Sequence, residues 1–243
     1  MNRTDTRSEI QTEPPRTKRR TGAHKPRKPE SGGSQAAQTR ESILDTAERL
    51  FAERGVAATS VRDITGAAGA NLGAINYHFG TKQELVMAVF SRRIFPVAER
   101  QMALLDEAER KAGGKPPRLE TLLEAMTRPS IEKSFAAGKR NTAFMRLVGR
   151  CYGEPNPEVE RRIRAHVEKV WMRFAILLAR SLPGLPHEEM YWRIRFMVGA
   201  LHHTLLTSGR EGSIPPEFRK GLDAETLIRR MVAYAAAGLK AGI

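Results

Sequence analysis

The stretch SVRDITGAAGANLGAINYHFGTKQEL, Ser60 to Leu85, decides the fold. Ser60 followed by Asp63 is a capping box, and it opens a helix that buries Val61 and Ile64. Gly69 stands where a tight turn needs a residue tolerant of positive φ. Asn71 can cap a second, short helix that ends at Phe79 and is rooted by Ile75 and Phe79. Thr81 with Glu84 forms another capping box, opening a long helix through Leu85, Val86, Val89 and Phe90. Helix, tight turn, short helix and the capped start of a further helix make the layout of a helix-turn-helix reader of duplex DNA.

Upstream, Ile43, Leu44, Ala47, Leu50 and Phe51 recur on one helical face, and Gly55 stops that helix. Residues 39–85 are therefore expected to form a three-helix DNA-binding domain. Residues 1–38 are rich in Pro, Gly, Ser, Thr, Arg and Lys and hold hardly any large apolar side chains, so they are expected to be a disordered basic tail. Its cationic cluster is Arg16, Lys18, Arg19, Arg20, Lys25, Arg27 and Lys28, with His24 among them. It is either a DNA-tracking arm or a solvated tail.

Downstream, residues 86–243 are expected to form a larger helical domain for effector binding and dimerisation, joined to the reader by the long helix that starts near Lys82. Pro96 and Pro129 mark kinks or breaks, and AGGKPP at Ala112–Pro117 is a boundary. Apolar stripes predict a helix over Asn141–Tyr152, another ending at Leu182, one over about His187–Ser208 and a last one over about Ala224–Lys240. No strand-like alternation of any length occurs, so the fold class is all-α.

Of the 243 residues, 40% are hydrophobic, enough for a sizeable core, and the net charge of +14 favours a polyanionic partner. Between Thr39 and Arg93, however, seven basic residues face six acidic ones, so the reader itself is close to neutral. Cys151 is the only cysteine, which excludes an intramolecular disulfide and fits a reducing cytoplasm. With no apolar run long enough to cross a bilayer and no secretory h-region, a cytoplasmic protein without a membrane partner is expected. No Gly-rich phosphate loop, nucleophile elbow or placed carboxylate pair is present, so an enzyme is not expected. Neighbouring histidines on a helix, as at His202 and His203, point about 100° apart and rarely share an ion. Neither a metal nor a cofactor is expected.

The segments RESILDTAERLFAERG, TSVRDITGAAG and NLGAINYHFGTKQEL together resemble the DNA-binding domain of the TetR family of bacterial regulators, above all in the triplet Tyr77-His78-Phe79 followed by Lys82 and Leu85. On physical grounds, the face of the short helix offers Asn71, Leu72, Ala74 and Asn76 to base edges: Asn pairs with adenine, and Leu72 or Ala74 can touch a thymine methyl. Gly73 allows close approach to the duplex. Thr59 and Ser60 sit at a helix N-terminus, where backbone N–H groups bind phosphate. The resemblance further implies phosphate contacts from Tyr77, His78 and Lys82. Position 72 is often basic or polar in the family, and here it is Leu.

The segments Asn141–Val159 and Tyr191–Leu205 resemble the C-terminal domain of fatty-acid-responsive members. This resemblance implies a small apolar effector, such as a fatty acid or acyl-CoA. Its candidate contacts are Met126, Phe144, Met145, Val148, Trp171, Phe174, Met197 and His202, with Arg146 and Arg150 for an anionic head group. At helical spacing the same apolar residues also read as plain core, and the arginines as solvated. The last two helices, apolar and lined by Gly199, Ala200, Ala233, Ala235, Ala236 and Ala237, are expected to form a homodimer; in the family these helices build a four-helix bundle. Such a dimer would hold two readers about 34–36 Å apart on a roughly palindromic double-stranded operator. The expected function is a ligand-responsive dimeric repressor. The alternative is an architectural DNA binder without sequence preference, acting through its basic tail.

Overall fold

A computed structural model describes residues 32–137, 143–148, 156–208 and 213–242. All regular structure among them is helical: α1 (Gly32–Arg54), α2 (Val61–Ala68), α3 (Leu72–Phe79), α4 (Lys82–Ala112), α5 (Leu119–Ala137), α6 (described over 143–148), α7 (Pro157–Ser181), α8 (His187–Ser208), α9 (Pro216–Arg219) and α10 (Ala224–Lys240). The basic cluster at Arg16–Lys28, Arg150, Cys151 and Tyr152 lie outside the described residues. The all-α expectation holds. One boundary moves: α1 begins at Gly32 rather than at Thr39. Its first turns, with Gln35, Ala36, Ala37 and Gln38, are good helix formers that need no burial to be helical.

Local chemistry sets most of the other ends. The Ser60–Asp63 capping box opens α2, and Gly69 closes it at φ 64°. The Asn71 side chain accepts from the Ala74 N–H to open α3. Gly113 at φ 58° ends α4. Asn156 and Asp223 cap α7 and α10 by accepting from Val159 N–H and Thr226 N–H. The Thr81 hydroxyl likewise accepts from Glu84 N–H, but the Glu84 carboxylate does not complete the second capping box, since it pairs across the molecule with Arg162 of α7 at 2.7 and 3.1 Å.

The core has two parts that meet along α4. The first joins Ile43, Leu44, Leu50 and Phe51 of α1 to Ile64, Ile75, Phe79, Leu85 and Phe90, and continues through Ile131, Phe144 and Leu147 to Leu201, Leu205 and Ile228. The second packs Leu105, Leu122, Leu123 and Met126 on Phe174, Leu177, Leu178, Met197 and Leu239. The reader is thus continuous with the larger domain through one shared apolar group.

Pro96 and Pro129 lie inside α4 and α5, and neither ends its helix. Pro96 has no N–H to offer the carbonyl of Arg92, four residues earlier. Lys133 of α5 fills that gap: its Nζ donates to the Arg93 and Arg92 carbonyls at 2.8 and 3.3 Å. Burial, with Arg93 and Arg92 beside it, holds this ammonium below the ordinary lysine range against the pull of Glu48. The reverse service runs from α4 to α5. Gln101 donates from Nε2 to the Met126 carbonyl at 2.6 Å, next to the Ala125 carbonyl that Pro129 cannot serve.

Directly above Lys133, Arg92 and Arg93 extend from α4 to α1. Both reach the carboxylate of Glu48, Arg92 at 2.6 Å and Arg93 at 2.7 and 3.1 Å, and Arg92 also reaches Asp45 at 2.7 Å. Glu48 is 3% exposed. A carboxylate so buried is tolerable only because two guanidiniums satisfy it. Removing one partner of a buried pair costs about 3–5 kcal/mol, and the partial exposure of these arginines discounts that to about 2–3 kcal/mol for Glu48→Ala. The expected readout is a lowered urea midpoint at unchanged m value. A midpoint equal to the parent's would show that the cluster contributes no net stability.

Candidate nucleic-acid interface

Helix α3 is rooted by two side chains and presents the rest. Ile75 is fully buried and Phe79 is 9% exposed, whereas Leu72 is 50% and Tyr77 81% exposed. Asn71, Gly73 and Asn76 are also exposed, and Ala74 and His78 are half-buried. Ile75 and Phe79 lie one turn apart on the inward face, Gly73 and Tyr77 lie on the opposite side with Asn76 at the flank, and Leu72, one turn before Ile75, is exposed at the first position of the helix. A Tyr exposed to this extent on an ordered helix is a side chain available to a partner.

The aromatic triplet forms a connected edge. Tyr77 and His78 meet edge to face at 4.9 Å between ring centroids, and His78 meets Phe79 at 6.1 Å. On the far side the Arg40 guanidinium of α1 lies over the Phe79 ring at 5.3 Å. This contact, which joins the third turn of α1 to the end of α3, has no local signal in the sequence. Gly73 has an internal role besides clearance for a duplex. A Cβ there would come within 3.3 Å of Asn71 Oδ1, the oxygen that caps the helix.

Two of the residues expected to face phosphate are placed otherwise. Thr59 is fully buried, and its hydroxyl donates to the Gly55 carbonyl at 2.8 Å. It closes the loop between α1 and α2 and cannot touch DNA, so that expectation is corrected. Ser60 is exposed, but its donors are engaged: its N–H and its hydroxyl both donate to Asp63 Oδ2, at 2.8 and 2.6 Å. Those bonds hold the Asp63 carboxyl below its usual range, with Arg54 and Lys82 adding to the effect. Lys82, half-buried at the first position of α4, thus brings its charge toward the start of α2.

A second connection reaches the reader from the larger domain. Beside the Glu84–Arg162 pair, Gln83 Nε2 lies 3.5 Å from the Asn156 carboxamide oxygen at the cap of α7. Arg162 holds the Glu84 carboxyl below its usual range. The first turn of α4, which directly follows α3, is therefore tied to α7. These residues lie more than seventy positions apart in the chain, so no sequence pattern announces the tie.

The residues expected to receive an effector do not form a single group. Phe144, Met145 and Val148 belong to the core part shared with the reader, while Met126, Trp171, Phe174 and Met197 belong to the other. Met126 and Phe174 are 1% and 0% exposed, tightly packed core. His202 is half-buried, and burial lowers its pKa. Arg146 points to solvent. Among the described residues no three His, Cys, Asp or Glu side chains are grouped to hold a metal, and no helix is long and apolar enough to cross a membrane.

Known proteins bear on both parts of the chain. The family model described as bacterial regulatory proteins, tetR family, matches residues 43–89. A model described as tetracyclin repressor-like, C-terminal domain, matches residues 124–238. The transcriptional repressor BepR of Brucella suis is 31% identical over 132 residues, 53% of this chain and 59% of that protein. The regulator AcrR of Shigella flexneri is 37% identical over 114 residues, 47% of this chain and 49% of that protein. The chain thus spans about half the length of these curated relatives. Among solved structures, the regulator PfmR of Thermus thermophilus superposes with a TM-score of 0.55 at 20% identity, over 83% of this chain and 95% of that one. The fatty acid degradation regulator FadR of Bacillus halodurans does so with 0.51 at 17% identity, over 83% and 96%. At such identities the likeness is one of fold. Since the reader from α1 to α4 and the larger domain from α5 to α10 are each matched by a model of the same family, the chain belongs to the TetR family of bacterial regulatory proteins.

Proposed function

We propose that this protein is a dimeric, ligand-responsive transcriptional regulator whose helix α3 reads the major groove of an operator. The observation that carries the proposal is the outward face of α3. Leu72, Asn76 and Tyr77 are exposed on a helix capped at its start by Asn71 and rooted by Ile75 and Phe79. In this reading Asn71, Leu72, Gly73, Ala74 and Asn76 meet base edges, while Tyr77, His78 and Lys82 position the helix on phosphates.

The dimer is proposed through α8 and α10. Tyr191, Trp192 and Phe196 of α8 are 54%, 47% and 63% exposed, and Tyr234 of α10 is 60% exposed. Trp192 stacks with Phe196 on this face, and Ala233, Ala237 and Gly238 leave α10 smooth beside it. Arg193 holds the two helices in register by donating to the carbonyls of Leu239 and Ala241 at 3.1 and 2.8 Å. An aromatic face of this size on a helix pair is suited to a second copy of itself. A small apolar effector, such as a fatty acid or acyl-CoA, is proposed within the larger domain. The division of the candidate residues favours the group at Phe144, Met145 and Val148, because it shares its core with the reader. A ligand there would change the packing on which α4 and the reader rest.

A gel-shift titration on DNA upstream of the protein's own gene tests the reading, with and without long-chain fatty acids or acyl-CoAs. A specific complex released by an acyl compound is expected. Tyr77→Ala should weaken binding to all sequences alike, and Asn76→Ala should change base preference by about 1–3 kcal/mol at one position. Unchanged operator binding by both variants would refute the role of α3.

For the dimer, Phe196→Lys should yield a monomer in light scattering and reduce operator affinity at least about tenfold. A variant that stays dimeric would move the interface elsewhere. For the tail, replacing Arg16, Lys18, Arg19 and Arg20 with Gln should flatten the slope of log affinity against log salt by up to about 3–4. An unaltered slope would set the tail aside as a DNA contact.

A further inference from the structure

The outward face of α3 is unusual in chemistry. From Asn71 to Phe79 the helix and its cap contain no Lys, Arg, Asp or Glu. Guanine is read in the major groove chiefly by Arg or Lys at O6 and N7, and cytosine by Glu or Asp accepting from N4. Neither contact is available from this helix. With Tyr77 and His78 assigned to phosphates, its means of discrimination are apolar contact and amide hydrogen bonds.

The geometry narrows those means further. Bidentate pairing of Asn with adenine uses the carboxamide oxygen and nitrogen together. The Asn71 oxygen already accepts from Ala74 N–H at 2.8 Å, so Asn71 cannot make that pair while it caps the helix. Asn76 remains, exposed on the helix surface. Leu72 lies one turn before it on the same face, at the first position of α3, where a recognition helix comes nearest the bases. Gly73 has no side chain, and Ala74 offers only a half-buried methyl.

We infer that α3 reads A·T pairs, with Leu72 packed on a thymine 5-methyl and Asn76 on an adenine close by. Leu72 is then the residue that fixes thymine at one position of each half-site. The inference rests on the assignment of α3 as the recognition helix and adds the base class that this helix selects.

The test uses the full-length protein and a duplex selected by it from a random library. Thymines of the selected half-site are replaced one at a time by uracil, which removes the 5-methyl and keeps base pairing. At one position per half-site the parent should bind the uracil duplex about fourfold more weakly, the value of one buried methyl. Leu72→Ala should bind both duplexes equally, and Leu72→Met should restore the preference for thymine. Leu72 is exposed, so neither substitution disturbs the core. Tolerance of uracil at every position would overturn the inference and leave α3 a reader by other contacts. So would a uracil penalty unchanged in Leu72→Ala. If the library yields no enriched sequence at all, the recognition-helix assignment fails and the inference fails with it.

Discussion

A single carboxylate governs how the parts of this molecule stand to one another. Glu48 leaves α1 inside the protein, where a charge is tolerable only if matched, and α4 supplies two guanidiniums for it. An apolar contact at the same place would hold α1 and α4 together but permit sliding. The hydrogen bonds of two guanidiniums, a fork from Arg93 and a single bond from Arg92, do not, because their geometry is directional. The orientation of α1 fixes α2 and α3, which pack on it through Ile64 and Ile75. The direction of the exposed face of α3 thus depends on a polar contact about a dozen residues beyond it on α4.

The same helix carries the consequence into the larger domain. Arg92 and Arg93 use their side chains on α1 and their carbonyls on Lys133 of α5. At the other end of the reader, Glu84 and Arg162 join the first turn of α4 to α7. A shift of α5 or α7 therefore meets the reader at two separated points. Two such points define a rotation rather than a mere displacement. That is the kind of motion that would change the distance between two readers in a dimer.

Much of the reader was legible in the sequence because its instructions are local. Ser60, Asn71 and Thr81 cap the helices they were expected to cap, and Gly69 takes the left-handed conformation that the turn requires. The helices expected over about His187–Ser208 and Ala224–Lys240 are also found there. What was not legible depends on partners remote in the chain. Thr59 looked like a surface residue at a helix start, yet its hydroxyl is drawn inward by the Gly55 carbonyl. Glu84 has the spacing of a capping box, but a distant arginine outbids the local N–H. Pro96 reads as an interruption because the side chain that serves the carbonyl it leaves free, Lys133, belongs to another helix. The proposed effector contacts were gathered by residue type, and type alone cannot tell two adjoining core regions apart.

That exchange between prolines has a bearing on how the chain comes to be folded. Helix α4 obtains from α5 the donor that Pro96 denies it, and α5 receives from α4 a donor beside its own interruption. Helix α4 cannot satisfy the Arg92 carbonyl alone, so its turn before Pro96 gains a donor only when the two helices are docked. Although α3 ends just before α4 begins, the docking of α5 on α4 would then extend the cooperative folding unit at least through α5. During synthesis the reader would then acquire its lasting shape only after α5 has left the ribosome, well after its own last residue has been added.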